Sequence, residues 1–129
     1  MPLQIGTWKT NVGGTVGQLV IETVDAQGNV SGTLTGLPGL GLSMHFGGYW
    51  EEESQRITFL LDTSQNQGFA MESFVFTGYL FQDSLPLADV TGSTIFTLAG
   101  SFSGFFVASV YGITALKSQS GWYGQIGVE

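Results

Sequence analysis
A chain of 129 residues, 43% of them hydrophobic and only 10% charged, is long enough for one packed domain, and its lack of cysteine excludes disulfides and thiolate metal sites. The formal net charge of -7, with Lys9, Arg56 and Lys117 as the only fixed cations, excludes a surface able to neutralise a run of phosphates, so no nucleic-acid partner is expected. The same acidity, without any basic amphipathic stretch, argues against binding to an anionic membrane surface.

Twenty glycines, few helix-forming runs and frequent Thr, Val, Phe and Tyr argue for strands punctuated by turns. Met1 to Gln4 lack the positive charge and apolar core of a signal peptide, so a cytoplasmic location is expected unless a leader has been removed. Along the chain, strands are expected near 5–10, 16–24, 30–35, 44–51, 55–62, 70–81, 92–99 and 105–117. Asp25-Ala26-Gln27-Gly28-Asn29 has the residues of a tight hairpin turn, and Glu51-Glu52-Glu53-Ser54 and Thr63 to Gly68 read as solvated loops. Four strands carry a mid-strand glycine, in Ser31-Gly32-Thr33, Gly47-Gly48-Tyr49, Thr77-Gly78-Tyr79 and Ala99-Gly100-Ser101. Such glycines weaken a strand, so their recurrence points to tight curvature or close backbone approach, both of which a small closed barrel needs.

The segment 105–117 is apolar on both parities: Phe105, Val107, Tyr111 and Ile113 on one, Phe106, Ala108, Val110 and Leu116 on the other. One face is expected in a barrel interior and the other against a second subunit, which with the lean charge predicts a homodimer or homotetramer. The fold class is therefore all-β, an eight-stranded antiparallel up-and-down barrel.

Little catalytic material is present. His45 is the sole histidine and sits between Met44 and Phe46, so it reads as structural. Glu51, Glu52 and Glu53 read as a solvated strand end rather than a cation site, and no metal or cofactor is expected. Glu72, between Met71 and Phe74, is either an outward wall residue or a perturbed inward carboxylate. Gly39-Leu40-Gly41 leads into no helix and carries no phosphate-binding weight, and Asn29-Val30-Ser31 is explained by its hairpin. Trp8 is expected to plug one barrel end, while Trp50, Trp122 and Tyr123 are expected as interface aromatics or, alternatively, as sugar-stacking surface.

In order along the chain, Gly6-Thr7-Trp8, the hairpin Leu19-Val20-Ile21 through Gly28-Asn29-Val30-Ser31-Gly32-Thr33, Val75-Phe76-Thr77-Gly78 and Ala108 to Thr114 resemble the avidin and streptavidin family. The resemblance spans roughly residues 6–116, implying a streptavidin-like barrel over 1–117 with 118–129 as a C-terminal extension packed on it. It also implies where a ligand would sit. The family holds the ureido group of biotin with an Asn and a Ser of the first hairpin, a Tyr of the third strand and an Asp or Asn of the last; these slots read Thr10 or Asn11, Gly14, Leu34 and Thr114. Its tryptophan cage resembles Phe96 and Phe106, and two hydroxyl positions of its sixth strand fall at Glu72 and Phe74.

An apolar wall with the polar floor removed implies weak biotin binding, since each buried polar group left unpaired costs about 1–3 kcal/mol. The expected ligand-binding set is Trp8, Asn11, Leu34, Phe74, Phe76, Phe96, Phe106 and Thr114, beneath an apolar lid at 36–43. The resemblance implies a non-enzymatic barrel for a small molecule more hydrophobic than biotin. The alternatives are an assembly barrel filled by its own side chains, or an isomerase or cyclase using Glu72, Tyr49 or Tyr111 as an acid–base group.

Overall fold
The computed structural model describes residues 1–37, 43–61, 71–87, 89–108 and 114–129, without the side chains of 71–73, 105–108 and 114–118. Eight strands follow one another: β1 Gly6–Val12, β2 Thr15–Val24, β3 Asn29–Thr35, β4 Met44–Glu51, β5 Arg56–Leu61, β6 Met71–Phe81, β7 Thr94–Ala108 and β8 Thr114–Val128. Each pairs antiparallel with the next, and β8 returns to pair with β1, so the sheet closes. This is the eight-stranded antiparallel barrel read from the sequence.

Strand alternation explains which face turns inward. In β3, Val30, Gly32 and Leu34 are buried while Asn29, Ser31 and Thr35 are exposed, and in β4 Met44, Phe46 and Trp50 alternate in the same way with His45, Gly47 and Tyr49. The β2–β3 hairpin turns where Asp25 to Asn29 predicted. Asp25 Oδ1 accepts from the backbone N–H groups of Gln27 and Asn29, its Oδ2 accepts from Asn29 Nδ2, and Gly28 supplies the left-handed φ of 92°.

The strands tilt steeply across the barrel wall. A row of directly paired residues starts at Val12, the last residue of β1, and passes through Trp122, Gly100, Gly78 and Ile57 to Trp50, near the far end of β4. A closed barrel of few strands needs such a stagger between neighbours. The mid-strand glycines serve the close approach this imposes. A Cβ on Gly32 would lie 1.8 Å from Val20 O, and one on Gly100 would lie 1.9 Å from Thr77 O. At Gly78 the space goes to a side chain, because an added Cβ would stand 2.6 Å from Cζ2 of Trp122.

The first six strands fall within about two residues of expectation, and the last two do not. The strands expected at 92–99 and 105–117 left residues 100–104 unassigned, although Gly100 was read as a mid-strand glycine. Instead they continue β7, where Gly100 admits the β6 backbone and Gly104 gives way to the Phe74 ring, 2.6 Å from where its Cβ would be. The expected strand at 105–117 is thus divided between β7 and β8. Residues 118–128, expected as an extension, are the greater part of β8 and make the pairs with β1 that close the barrel.

Outside the barrel, Gln125 fixes the connection between β6 and β7. Its side chain is fully buried, accepts from Leu87 N at 2.7 Å, and donates to Leu85 O and Thr97 Oγ1 at 2.9 Å. That leaves the side chains of Leu85 and Leu87 exposed while their backbone is tied down.

Gly78→Ala is expected to destabilise the chain by about 1–3 kcal/mol, since Trp122 is tied by its hydrogen bond to Thr77 O and by its edge contacts to Phe59 and Phe76. Gly121→Ala, whose Cβ would meet nothing nearer than 3.6 Å, is expected to shift stability by no more than about 0.5 kcal/mol. The urea midpoints of the two variants make the comparison.

Candidate functional site
The barrel interior is lined on one side by rings from four consecutive strands. Phe59 of β5 stacks on Phe76 of β6 at 4.7 Å between centroids, Phe76 on Phe102 of β7 at 5.0 Å, and Phe46 of β4 leans on Phe59 at 4.8 Å. Phe59 pairs directly with Phe76, and Phe76 with Phe102, so the ladder itself brings the rings into register. Trp122 of β8 presents its edge to Phe59 and Phe76 at 5.8 and 5.7 Å, and its Nε1 donates to Thr77 O at 3.1 Å. Each such ring pair contributes about 0.5–1.5 kcal/mol beyond its buried area.

On the other side, β1 directs Trp8, Thr10 and Val12 inward. Trp8 is fully buried and donates through Nε1 to Gln4 O at 3.1 Å. Thr10 differs from its surroundings: it is 2% exposed, and its Oγ1 has no hydrogen-bond partner among the described residues. The two residues directly paired with it are Gly17 of β2 and Gly124 of β8, so its row offers the hydroxyl no flanking side chain. A buried hydroxyl without a partner costs about 1–3 kcal/mol, so this one marks a position where a polar atom from elsewhere would be stabilised.

The expected site residues divide by this geometry. Trp8, Leu34, Phe74 and Phe76 are buried on the inner face. Phe96 is buried too, but at the start of β7, whereas Phe106 lies ten residues further along the same strand, about 33 Å away at the usual rise. Those two positions are too far apart to wall one small pocket. Asn11 was expected to reach a ligand, yet strand alternation puts it on the outer face, where its Oδ1 accepts from Gly14 N and braces the β1–β2 turn. The inward residue of that pair is Thr10. The side chains of Phe106, Thr114 and Glu72 lie outside the described residues, as do Tyr111 and most of the lid at 36–43; the backbone places Phe106 and Thr114 beside the β7–β8 connection.

Three further expectations are corrected. Trp50 and Trp122, expected on an interface, are 5% and 4% exposed and belong to the core. Tyr49, a candidate acid–base group, stands 49% exposed on the outer wall of β4 and so faces no interior substrate. Of the aromatic column only Phe76 was expected in the ligand-binding set; Phe46 and Phe102 alternate with polar or small residues, whereas Phe59 is followed by Leu60 and Leu61 and carries no such signal. His45 is exposed, and among the described residues no three His, Cys, Asp or Glu side chains gather as a metal ion would require.

Comparison with solved structures finds the crystal structure of a rhizavidin–biotin complex, with a TM-score of 0.61 over 98% of this chain and 95% of the other, at 17% identity. No family model and no curated protein matches the sequence. The likeness lies in the fold, a closed eight-stranded antiparallel barrel of avidin type.

Thr10→Val replaces the orphan hydroxyl with a methyl of the same shape. It is expected to stabilise the unliganded chain by about 1 kcal/mol, read from the urea midpoint, whereas a loss of that size would show that the hydroxyl has a partner.

Proposed function
We propose that this chain is a non-enzymatic binding barrel for a small molecule more apolar than biotin, held by the aromatic interior and by one hydrogen bond to Thr10. The unpartnered Thr10 hydroxyl, flanked by two glycines, carries the reading. A barrel like that of a protein crystallised with biotin supports it as a place for a ligand. The described inner face argues against biotin itself, because Leu34 and Phe74 stand where the resemblance implies hydrogen-bonding groups, and both are buried hydrocarbon. A ureido group brought there would lose its water without replacement.

The stacked column of Phe46, Phe59, Phe76 and Phe102 favours a second reading, an assembly barrel filled by its own rings. Tyr49, Leu60, Tyr79 and Phe81 are each about half exposed on the outer wall of β4 to β6, which supports self-association to a dimer or tetramer under either reading.

Native mass spectrometry of the freshly purified full chain tests both points in one spectrum. The binding reading expects an oligomer carrying a small apolar organic molecule, with that adduct depleted in Thr10→Val. An adduct-free spectrum for both proteins, with added apolar ligands also failing to bind, would leave the filled barrel as the correct reading.

A further inference from the structure
Thr10 stands in a strip of the inner wall that carries no other side chain. Its direct partners are Gly17 of β2 and Gly124 of β8, so across three neighbouring strands the wall is bare backbone for about 10 Å, with one hydroxyl at its centre. Beyond Gly17 the end of β3 closes in with backbone alone, since a Cβ on Gly17 would stand 1.9 Å from Thr35 O and 2.7 Å from Cα of Gly36. On the other flank a Cβ on Gly124 would come within 3.1 Å of the Thr10 methyl, so it is the methyl that faces β8. Side chains return in the rows on either side, where Trp8 is paired with Leu19 and Val12 with Trp122, all of them buried. Bare backbone between two apolar rows suits a flat ring system, whose face gains dispersion contacts against peptide planes that a branched body would not reach.

The polarity of the strip is one-sided. A hydroxyl offers one O–H donor and two lone pairs, and buried donors left unpaired are rarer in native structures than acceptors with a spare lone pair. The two indole N–H groups that border the strip are already engaged, that of Trp8 with Gln4 O and that of Trp122 with Thr77 O. What Thr10 lacks is therefore an acceptor for its O–H. A ligand N–H would meet the oxygen and leave that O–H unpaired, whereas a carbonyl oxygen would take it. Among the described residues no buried side chain is ionisable, so a charge carried into this interior would lose its water without replacement.

We propose that the ligand of this barrel is a neutral aromatic carbonyl compound, its flat body on the strip between Trp8 and Trp122 and its carbonyl oxygen accepting from Thr10 Oγ1. The inference rests on the binding reading given above and adds to it the class of the ligand and the direction of the hydrogen bond. A second polar atom on the same molecule would find no free side-chain donor on the described inner face, so a single carbonyl is the polar content that fits.

The test is a titration of the ¹⁵N-labelled full chain with indanone, indene and indole, bicyclic molecules of similar size that carry an acceptor, no polar group and a donor respectively, following the indole N–H resonances of Trp8 and Trp122. Saturable shifts are expected, with indanone binding about three- to tenfold more tightly than indene and indole no more tightly than indene. Thr10→Val is expected to erase the difference between indanone and indene, and Thr10→Ser, which keeps the hydroxyl, to preserve it. Equal affinity for indanone and indene, tightest binding of indole, or a preference for indanone that survives Thr10→Val would each overturn this inference while leaving the binding reading in place. Failure of all three molecules to bind the unaltered chain would overturn the binding reading and this inference together.

Discussion
Trp122 lies on the seam where β8 closes on β1, paired with Val12, and its indole reaches past β7 into the space that Gly78 leaves on β6. From there it donates to Thr77 O and sets its edge against two stacked phenylalanines. One side chain thus joins the closing ladder to the aromatic column of the interior. Closure removes the unpaired edges that a chain so poor in charge would otherwise expose. Once β8 is seated on β1, the inward parity of the remaining strands is set, and a shift of one residue would turn the phenylalanines to solvent.

The interior that results is apolar almost throughout, and its polar exceptions matter for that reason. Trp8 and Trp122 each satisfy their indole N–H on a backbone carbonyl. Gln125, buried on the outer side, satisfies its amide on Leu85, Leu87 and Thr97. Thr10 is the inner-face hydroxyl left over among the described residues, and it stands where the β1, β2 and β8 backbones carry no other side chain in its row. In a setting of low dielectric a single well-placed hydrogen bond discriminates strongly, because a ligand lacking it leaves the hydroxyl unpaired. An apolar wall with one such group selects for shape and for one polar atom, whereas a ureido group needs several partners at once.

Much of this was legible in the sequence, for reasons that separate what was seen from what was not. Alternation and turn chemistry are local signals, so six strands and the Asp25–Asn29 hairpin could be read directly, whereas Leu34 and Phe74 were placed by the resemblance. Glycine is ambiguous, because a turn and a close strand crossing use it alike; Gly100 was read as mid-strand, yet the strand was ended at 99, and β8 was displaced into 105–117. The same displacement left Trp122 among interface residues. Choosing Asn11 over Thr10 was an error of one residue, which on a strand exchanges inside for outside.

The barrel has the avidin-type fold, and its described inner face presents hydrocarbon at Leu34 and Phe74; titration calorimetry with free biotin tests most directly whether that face rejects a ureido group, as proposed. Each polar atom of a ureido group left unpaired against that hydrocarbon costs about 1–3 kcal/mol, and groups that act together cost more. Dissociation in the micromolar range or weaker is expected. A sub-nanomolar dissociation constant would contradict it, because Thr10 alone among these apolar residues could not supply the polar contacts such affinity demands.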